Sequence, residues 1–239
     1  MLSRREAAEL LRAPDLLAAG MAADALRARL HPEGVVTYIV DRNINYTNIC
    51  VSGCAFCAFF RPVGHPAGQV ISREALFQKI QETIELGGSG ILMQGGLHPG
   101  LGIEWHEDLL RSIKQRFRVH LHCYSSPEIL HIARVSGLTL RETICRLRDA
   151  GLDSIPGGGA EILDDEIRRR ISPHKCTTAE WLEVHRVAHG LGMRTTATMM
   201  FGCGETLEQR VNHLEVIRQL QEETGGFTAF IPWTFQREN

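Results

Sequence analysis

The chain has 239 residues, 44% of them apolar and 23% charged, with 26 Lys and Arg against 28 Asp and Glu. This is ordinary globular composition, which excludes a disordered chain, a collagen-like repeat and a disulfide-stapled miniprotein. A formal net charge of −2 and 6% aromatic residues offer neither the basic stripe nor the stacking platform of a nucleic-acid binder, and no apolar run approaches the roughly 20 residues of a membrane span.

Residues 3–30 carry Leu10, Leu11, Leu16, Leu17, Met21, Leu26 and Leu30 at helical spacing among Arg, Glu and Asp. That pattern predicts one or two amphipathic helices, not a signal peptide, and makes the cytoplasm the expected compartment. His31-Pro32-Glu33-Gly34 ends them, so residues 1–34 read as an N-terminal helical extension, expected to cover the floor of the domain that follows. Residues 35–239 then alternate between two periodicities. Strands are expected at 35–40 and 44–49, and a helix over 72–86 with Ser72 as N-cap and Gly87-Gly88 as its stop. The pattern goes on with a strand at 90–93, a helix at 104–117 and a strand at 119–124. Helices at 128–135 and 139–150 precede a short strand at 154–155. Helices at 164–170 and 178–191, a Thr-rich strand at 194–200, a helix at 206–221 and a strand at 227–231 complete the series.

Short strands alternating with helices predict βαβ units and a parallel sheet. About six units without a GxGxxG fingerprint favour an α/β fold of the (β/α) TIM-like barrel type, closed or partly closed, in one domain. A β/α unit ends with its helix, yet the sequence stops four residues after Phe235. The barrel is therefore expected to be incomplete, with either an open edge strand or C-terminal units lying in a longer protein.

Seven cysteines and no export signal argue against a disulfide framework. Three of them form Cys50-Val-Ser-Gly-Cys54-Ala-Phe-Cys57, a C-x3-C-x2-C loop directly after a strand. Three thiolates so close together suit an inorganic core. A zinc site needs a fourth ligand, for which His65 is nearest, whereas an iron–sulfur cluster held by three local cysteines keeps one iron open. Buried structural cysteines are the plain alternative, but three thiols in eight residues among Gly and Asn make poor core.

This loop resembles that of the radical S-adenosylmethionine (SAM) superfamily. The resemblance extends through residues 36–48, Gln94-Gly-Gly-Leu97, residues 153–161, 195–202 and 228–235 to the menaquinone (futalosine pathway) branch. That subgroup also holds aminofutalosine synthase and the deazaflavin synthase subunits. The chain departs from the branch at Cys123 and Tyr124, and family members are usually longer. The resemblance implies a [4Fe-4S] cluster on Cys50, Cys54 and Cys57, with SAM as cosubstrate on the open iron. It places Phe56 beside the adenine and Gly95-Gly96 near the SAM amino group. It further implies radical cyclisation of dehypoxanthine futalosine, begun by hydrogen abstraction from the ribose C4′. A ferredoxin- or flavodoxin-type electron donor follows from the same chemistry. A metal-stabilised binding protein without turnover is the expectation from another class.

The remaining candidates have double readings. Gly95 and Gly96 serve ligand approach or a simple turn, and Gln94 faces either SAM or substrate. Glu161 holds a ribose diol or ammonium, or merely answers a helix dipole. His120 and His122 lie two apart on one strand and point the same way, as substrate ligands, proton carriers or a satisfied polar layer. Ser125 and Glu128 contact substrate or start a helix. Thr195, Thr196 and Thr198 offer hydroxyls, or are strand formers; Trp233 stacks on a ring or plugs the barrel. Arg168, Arg169 and Arg170 read mainly as a solvated helix face. No residue is assigned as catalytic base.

Overall fold

The computed structural model describes residues 2–236. Six strands form one parallel sheet in the order β1 (Asp41–Asn45), β2 (Gly90–Gln94), β3 (His120–Cys123), β4 (Ser154–Ile155), β5 (Arg194–Phe201) and β6 (Phe227–Thr234). Each neighbour in space is the neighbour in sequence, so every connection is a short crossover of the kind parallel strands require. β1 and β6 are the two edges, and the sheet curls into an open half-barrel. The incomplete TIM-like barrel read from the sequence is the fold observed.

Helices α3 (Arg73–Glu85), α4 (Ile103–Arg116), α5 (Ser126–Ser136), α6 (Leu140–Ala150), α7 (Asp165–Ile171), α8 (Thr178–Gly190) and α9 (Leu207–Thr224) fill the crossovers. Their ends follow local chemistry. Ser72 Oγ accepts from Ala75 N at 3.2 Å, and Thr139, Thr177 and Thr206 close capping boxes with Glu142, Glu180 and Gln209. Each such cap contributes about 1 kcal/mol. Gly137, Gly151 and Gly225 stop α5, α6 and α9 at positive φ, where other residues are strained.

Alternation along the strands separates two faces. Ile91 and Met93 of β2 and Leu121 and Cys123 of β3 are buried against Leu76, Ile80, Leu110, Ile113, Ile132 and Leu147 of the helices. The residues between them, Leu92, Gln94, His120 and His122, face the concave side. The concave side is the polar one, and it carries the site.

Two expectations fail. Residues 35–40 form no strand, and Val35, Val36, Tyr38 and Ile39 are exposed; pairing with β2 begins only at Asp41 opposite Gly90. The N-terminal helices do not cover a floor. α1 (Arg4–Arg12) lies on the flank of α9, with Ala8 buried and Arg12 paired to Glu208, while α2 (Leu16–Leu30) buries no residue.

Stability therefore resides in the helix–sheet core. Ile91→Ala is expected to cost about 2–5 kcal/mol and Leu16→Ala, on the exposed helix, close to nothing, as read by urea unfolding. Burial also holds several histidines neutral: His213 is lowered to about 4 and His106 to about 3. His213 Nδ1 accepts from Leu163 N at 2.9 Å, a bond its protonation breaks. The unfolded chain takes up these protons near pH 6.5, the folded chain only near pH 3–4, so stability is full above pH 6.5 and falls as the pH drops toward 4. Unfolding midpoints across that range should show the decline, and His213→Gln should flatten part of it.

Candidate active site

The loop after β1 is laid down as an extra strand-like layer. Tyr46 N donates to Gln94 O at 3.2 Å, Gly96 N to Thr47 O at 2.9 Å and Val51 N to Leu97 O at 3.1 Å. On its other side Cys50 N donates to Arg61 O at 3.0 Å and Arg61 N to Asn48 O at 2.8 Å. The two segments touch so closely that a Cβ on Gly96 would collide with the Ile49 carbonyl and the Cys50 Cβ, and one on Gly95 would stand 2.5 Å from the Tyr46 ring. Both glycines are thus required by the approach of the cysteine loop itself.

That approach is locked by Glu128, which is 2% exposed. Its Oε1 accepts from Tyr46 Oη at 2.9 Å and Gly95 N at 2.8 Å, its Oε2 from Ser125 N at 2.8 Å and Ser125 Oγ at 2.5 Å. Burial pushes its pKa up against these four donors, which favour the carboxylate. Ser125 and Glu128 are therefore the start of α5 and, through Gly95 and Tyr46, the anchor of the loop.

The glycine-rich turn after β4 forms the opposite wall. Gly157 lies on the backbone of Ala197, and Gly158 lies against the Gln94 amide, with no room for a Cβ at either. Glu161 follows at φ +43°, a strained value for a side-chain-bearing residue. Its carboxylate accepts from Lys175 Nζ at 2.8 Å; Glu161 is buried and Lys175 partly so. The Lys175 ammonium also stands 5.5 Å over the Phe56 ring, a cation–π geometry. Burial opposes that charge, but the Glu161 carboxylate and the Cys54 sulfur outweigh it and hold the Lys175 pKa raised.

Arg168 corrects the sequence reading. It is 4% exposed and donates to Ala160 O at 2.6 Å and to Cys176 O at 2.9 and 2.6 Å. It pins the glycine turn to the segment that carries Lys175, whereas Arg169 and Arg170 are exposed as expected. The three β5 threonines are also spent internally: Thr195 on His189, Thr196 on Gly157 N and His122, Thr198 on Gly157 O.

These walls enclose a cavity of about 270 Å3. Cys50, Cys54, Cys57, Phe56, Gln94, Gly95, Gly96, Ser125, Glu128, Glu161 and Trp233, all singled out from the sequence, line it together with Lys175. His120 and His122 do not; they lie on the concave face below it. Lys175 was missed because an isolated Lys in a Ser-Pro-His turn carries no periodic or motif signal.

The chemistry of the wall fits a multi-iron cluster with SAM. Three thiols line one space, the donor set of an iron–sulfur cluster that keeps one iron open. Two hydrogen bonds already reach the sulfurs, Ser52 N to Cys50 at 3.3 Å and Ser52 Oγ with Cys54 at 3.3 Å; such bonds tune a cluster's potential. An aromatic ring, a carboxylate and an ammonium beside them offer partners for an adenine, a ribose diol and a carboxylate.

Comparison with known proteins agrees. The family model described as "Radical SAM superfamily" matches residues 44–217. Over its whole length the chain is 46% identical to a cyclic dehypoxanthine futalosine synthase of Halalkalibacterium halodurans, covering 65% of that protein. It is 43% identical over 218 residues to 5-amino-6-(D-ribitylamino)uracil–L-tyrosine 4-hydroxyphenyl transferase 1 of Methanosarcina barkeri, 91% of this chain and 57% of that one. The chain thus spans about 57–65% of the length of these relatives. The crystal structure of methylornithine synthase shares the fold, with a TM-score of 0.75 at 14% identity over 99% of this chain and 65% of that one.

The close approach at Gly96 is directly testable. Gly96→Ala should displace the Ile49–Cys50 backbone and lower the iron retained per chain several-fold after anaerobic reconstitution, with helix content by circular dichroism unchanged. Gly190→Ala, with open space around it, is the control that should retain full iron loading.

Proposed function

Because the chain belongs to the radical SAM superfamily, which works with a [4Fe-4S] cluster and SAM, we propose that it cyclises dehypoxanthine futalosine to cyclic dehypoxanthinyl futalosine in menaquinone biosynthesis. Identity of 46% along the entire chain to a synthase of that name is the observation that carries this reading. In it, Cys50, Cys54 and Cys57 hold the cluster, and Phe56, Gln94, Gly95, Gly96 and Glu161 hold SAM. When bound, these groups would supply 5′-deoxyadenosyl radical chemistry, which the family resemblance directs at the ribose C4′.

The residues of the chain have defined tasks in that reaction. Glu161, steadied by Lys175, orients a ribose diol or an ammonium. Phe56 covers the adenine. Gln94 and Ser125 stand at the border of the cavity toward the substrate, and Trp233 flanks the opening from β6. The substrate would continue from the cavity down the concave face toward His122 and His120. The walls on either side exclude water, which protects a reactive radical from side reactions. A ferredoxin- or flavodoxin-type protein would deliver the electron in the cytoplasm. Among the described residues no helix is long and apolar enough to cross a membrane.

A second reading rests on the 43% identity to the 4-hydroxyphenyl transferase: joining a tyrosine-derived ring to a ribitylaminouracil, in the manner of the deazaflavin synthases. A metal-stabilised binding role is the reading left if no turnover occurs.

Anaerobic reconstitution followed by EPR of the reduced protein separates these. A [4Fe-4S]⁺ signal that shifts on adding SAM, and is lost in Cys54→Ala, is expected. Deoxyadenosine should form with dehypoxanthine futalosine and not with tyrosine plus the ribitylaminouracil; the reverse outcome assigns the second reading. Stoichiometric zinc without a cluster signal sinks both.

A further inference from the structure

One layer below Gln94, the concave face carries a continuous chain of polar side chains across three strands. His122 on β3 lies level with Leu92 on β2 and with Ser154 on β4. It is two residues before the end of the cavity wall along the strand direction, about 7 Å. Ser154 Oγ is 2.6 Å from His122 Nδ1 and 2.7 Å from His120 Nε2. On the other side, His122 Nε2 is 3.3 Å from Thr196 Oγ1, which accepts from Gly157 N at 3.0 Å.

One wiring uses both hydroxyl hydrogens within this chain. Ser154 has one hydroxyl hydrogen and stands between two ring nitrogens, so it can donate to only one ring, and in this wiring it accepts from the other. Thr196 accepts from Gly157 on one of its two lone pairs and in this wiring gives its hydrogen to His122 Nε2. His122 then carries its proton on Nδ1 and donates it to Ser154, and Ser154 donates to His120 Nε2. The weakest link, at 3.3 Å, is on the cavity side. The far end is wet: the His120 side chain is 56% exposed, and its Nδ1 stands 4.0 Å from Asp153, itself paired with Lys114 at 2.5 Å.

We propose that Ser154 couples His122 and His120 into a proton relay that carries one proton from a ligand on the concave face to solvent. The ligand displaces the Thr196 hydroxyl from His122 Nε2, which then forms a bond to the ligand's proton, and the electron pair of the broken bond stays on the ligand. His122 releases its Nδ1 proton to Ser154 Oγ, Ser154 passes its own to His120 Nε2, and His120 releases its Nδ1 proton to water. One proton enters, one leaves, and no electron moves along the chain. The charged or titratable neighbours are Asp153 and Lys114 at the wet end and His185 behind β3; burial and His120 lower the His122 pKa to about 4, so the ring is neutral at pH 7 and holds an added proton only in passing. The relay deepens the function proposed above, since that cyclisation must shed a proton, and rests on it for the identity of the ligand.

Nitrogen-15 NMR of the histidines tests the wiring without substrate. His122 should be the Nδ1–H tautomer, and its titration should change both in His120→Asn and in Ser154→Ala but not in Ser154→Thr, which keeps the hydroxyl. An Nε2–H tautomer, or curves unmoved by Ser154→Ala, overturns the proposal. In turnover with dehypoxanthine futalosine, Ser154→Ala should lower kcat about tenfold or more with KM unchanged; an unchanged kcat also overturns it. Wiring intact but no turnover by any variant would instead count against the substrate assignment alone.

Discussion

One buried carboxylate holds the architecture of the cavity together. Glu128 begins as the capping residue of α5, satisfying Ser125 at the helix N-terminus. Its second oxygen reaches across to Gly95 at the exit of β2 and to Tyr46 at the root of the cysteine loop. Three segments distant in sequence are thereby fixed to one another by four hydrogen bonds inside a dry environment, where each unpartnered polar group would be costly. Removing the carboxylate leaves two amide hydrogens and two hydroxyls to be satisfied elsewhere. The same contact forces glycine at position 95, because the Tyr46 ring occupies the space of a side chain.

The opposite wall uses the same principle with a different group. Arg168 spends its guanidinium on backbone carbonyls of Ala160 and Cys176, and so joins the turn that presents Glu161 to the turn that presents Lys175. The ion pair between those two is then held by fixed backbone on both sides. Both walls are built from buried charges with main-chain groups among their partners, an arrangement that positions a site more than it stabilises a fold.

Much of this was legible in the residue order. The strand–helix alternation, the cap at Ser72, and the clustering of Cys50, Cys54, Cys57, Gln94 and Glu161 at the carboxyl ends of strands follow from periodicity and topology. What failed did so where tertiary pairing decides. Residues 35–40 are apolar and β-branched enough for a strand, yet β2 offers pairing only from Asp41 onward. Arg168 has the same local context as Arg169 and Arg170, and only the turn of α7 sends it inward. Ser125 and Glu128 carry a helix-start signature, and they both start α5 and line the cavity. His120 and His122 do share a face, but the layer they occupy lies below the cavity.

The seating of the cysteine loop has a consequence for maturation. Its contacts to Gln94–Leu97 on one flank and to Arg61 on the other are made entirely between protein groups. In small zinc domains the metal supplies the folding energy and chelation unfolds the chain. Here the loop that presents the thiols is tied on both flanks to a scaffold with an apolar core of its own, so loading of an inorganic core, and its reloading after damage by oxygen, acts on a surface that main-chain hydrogen bonds and packing also define.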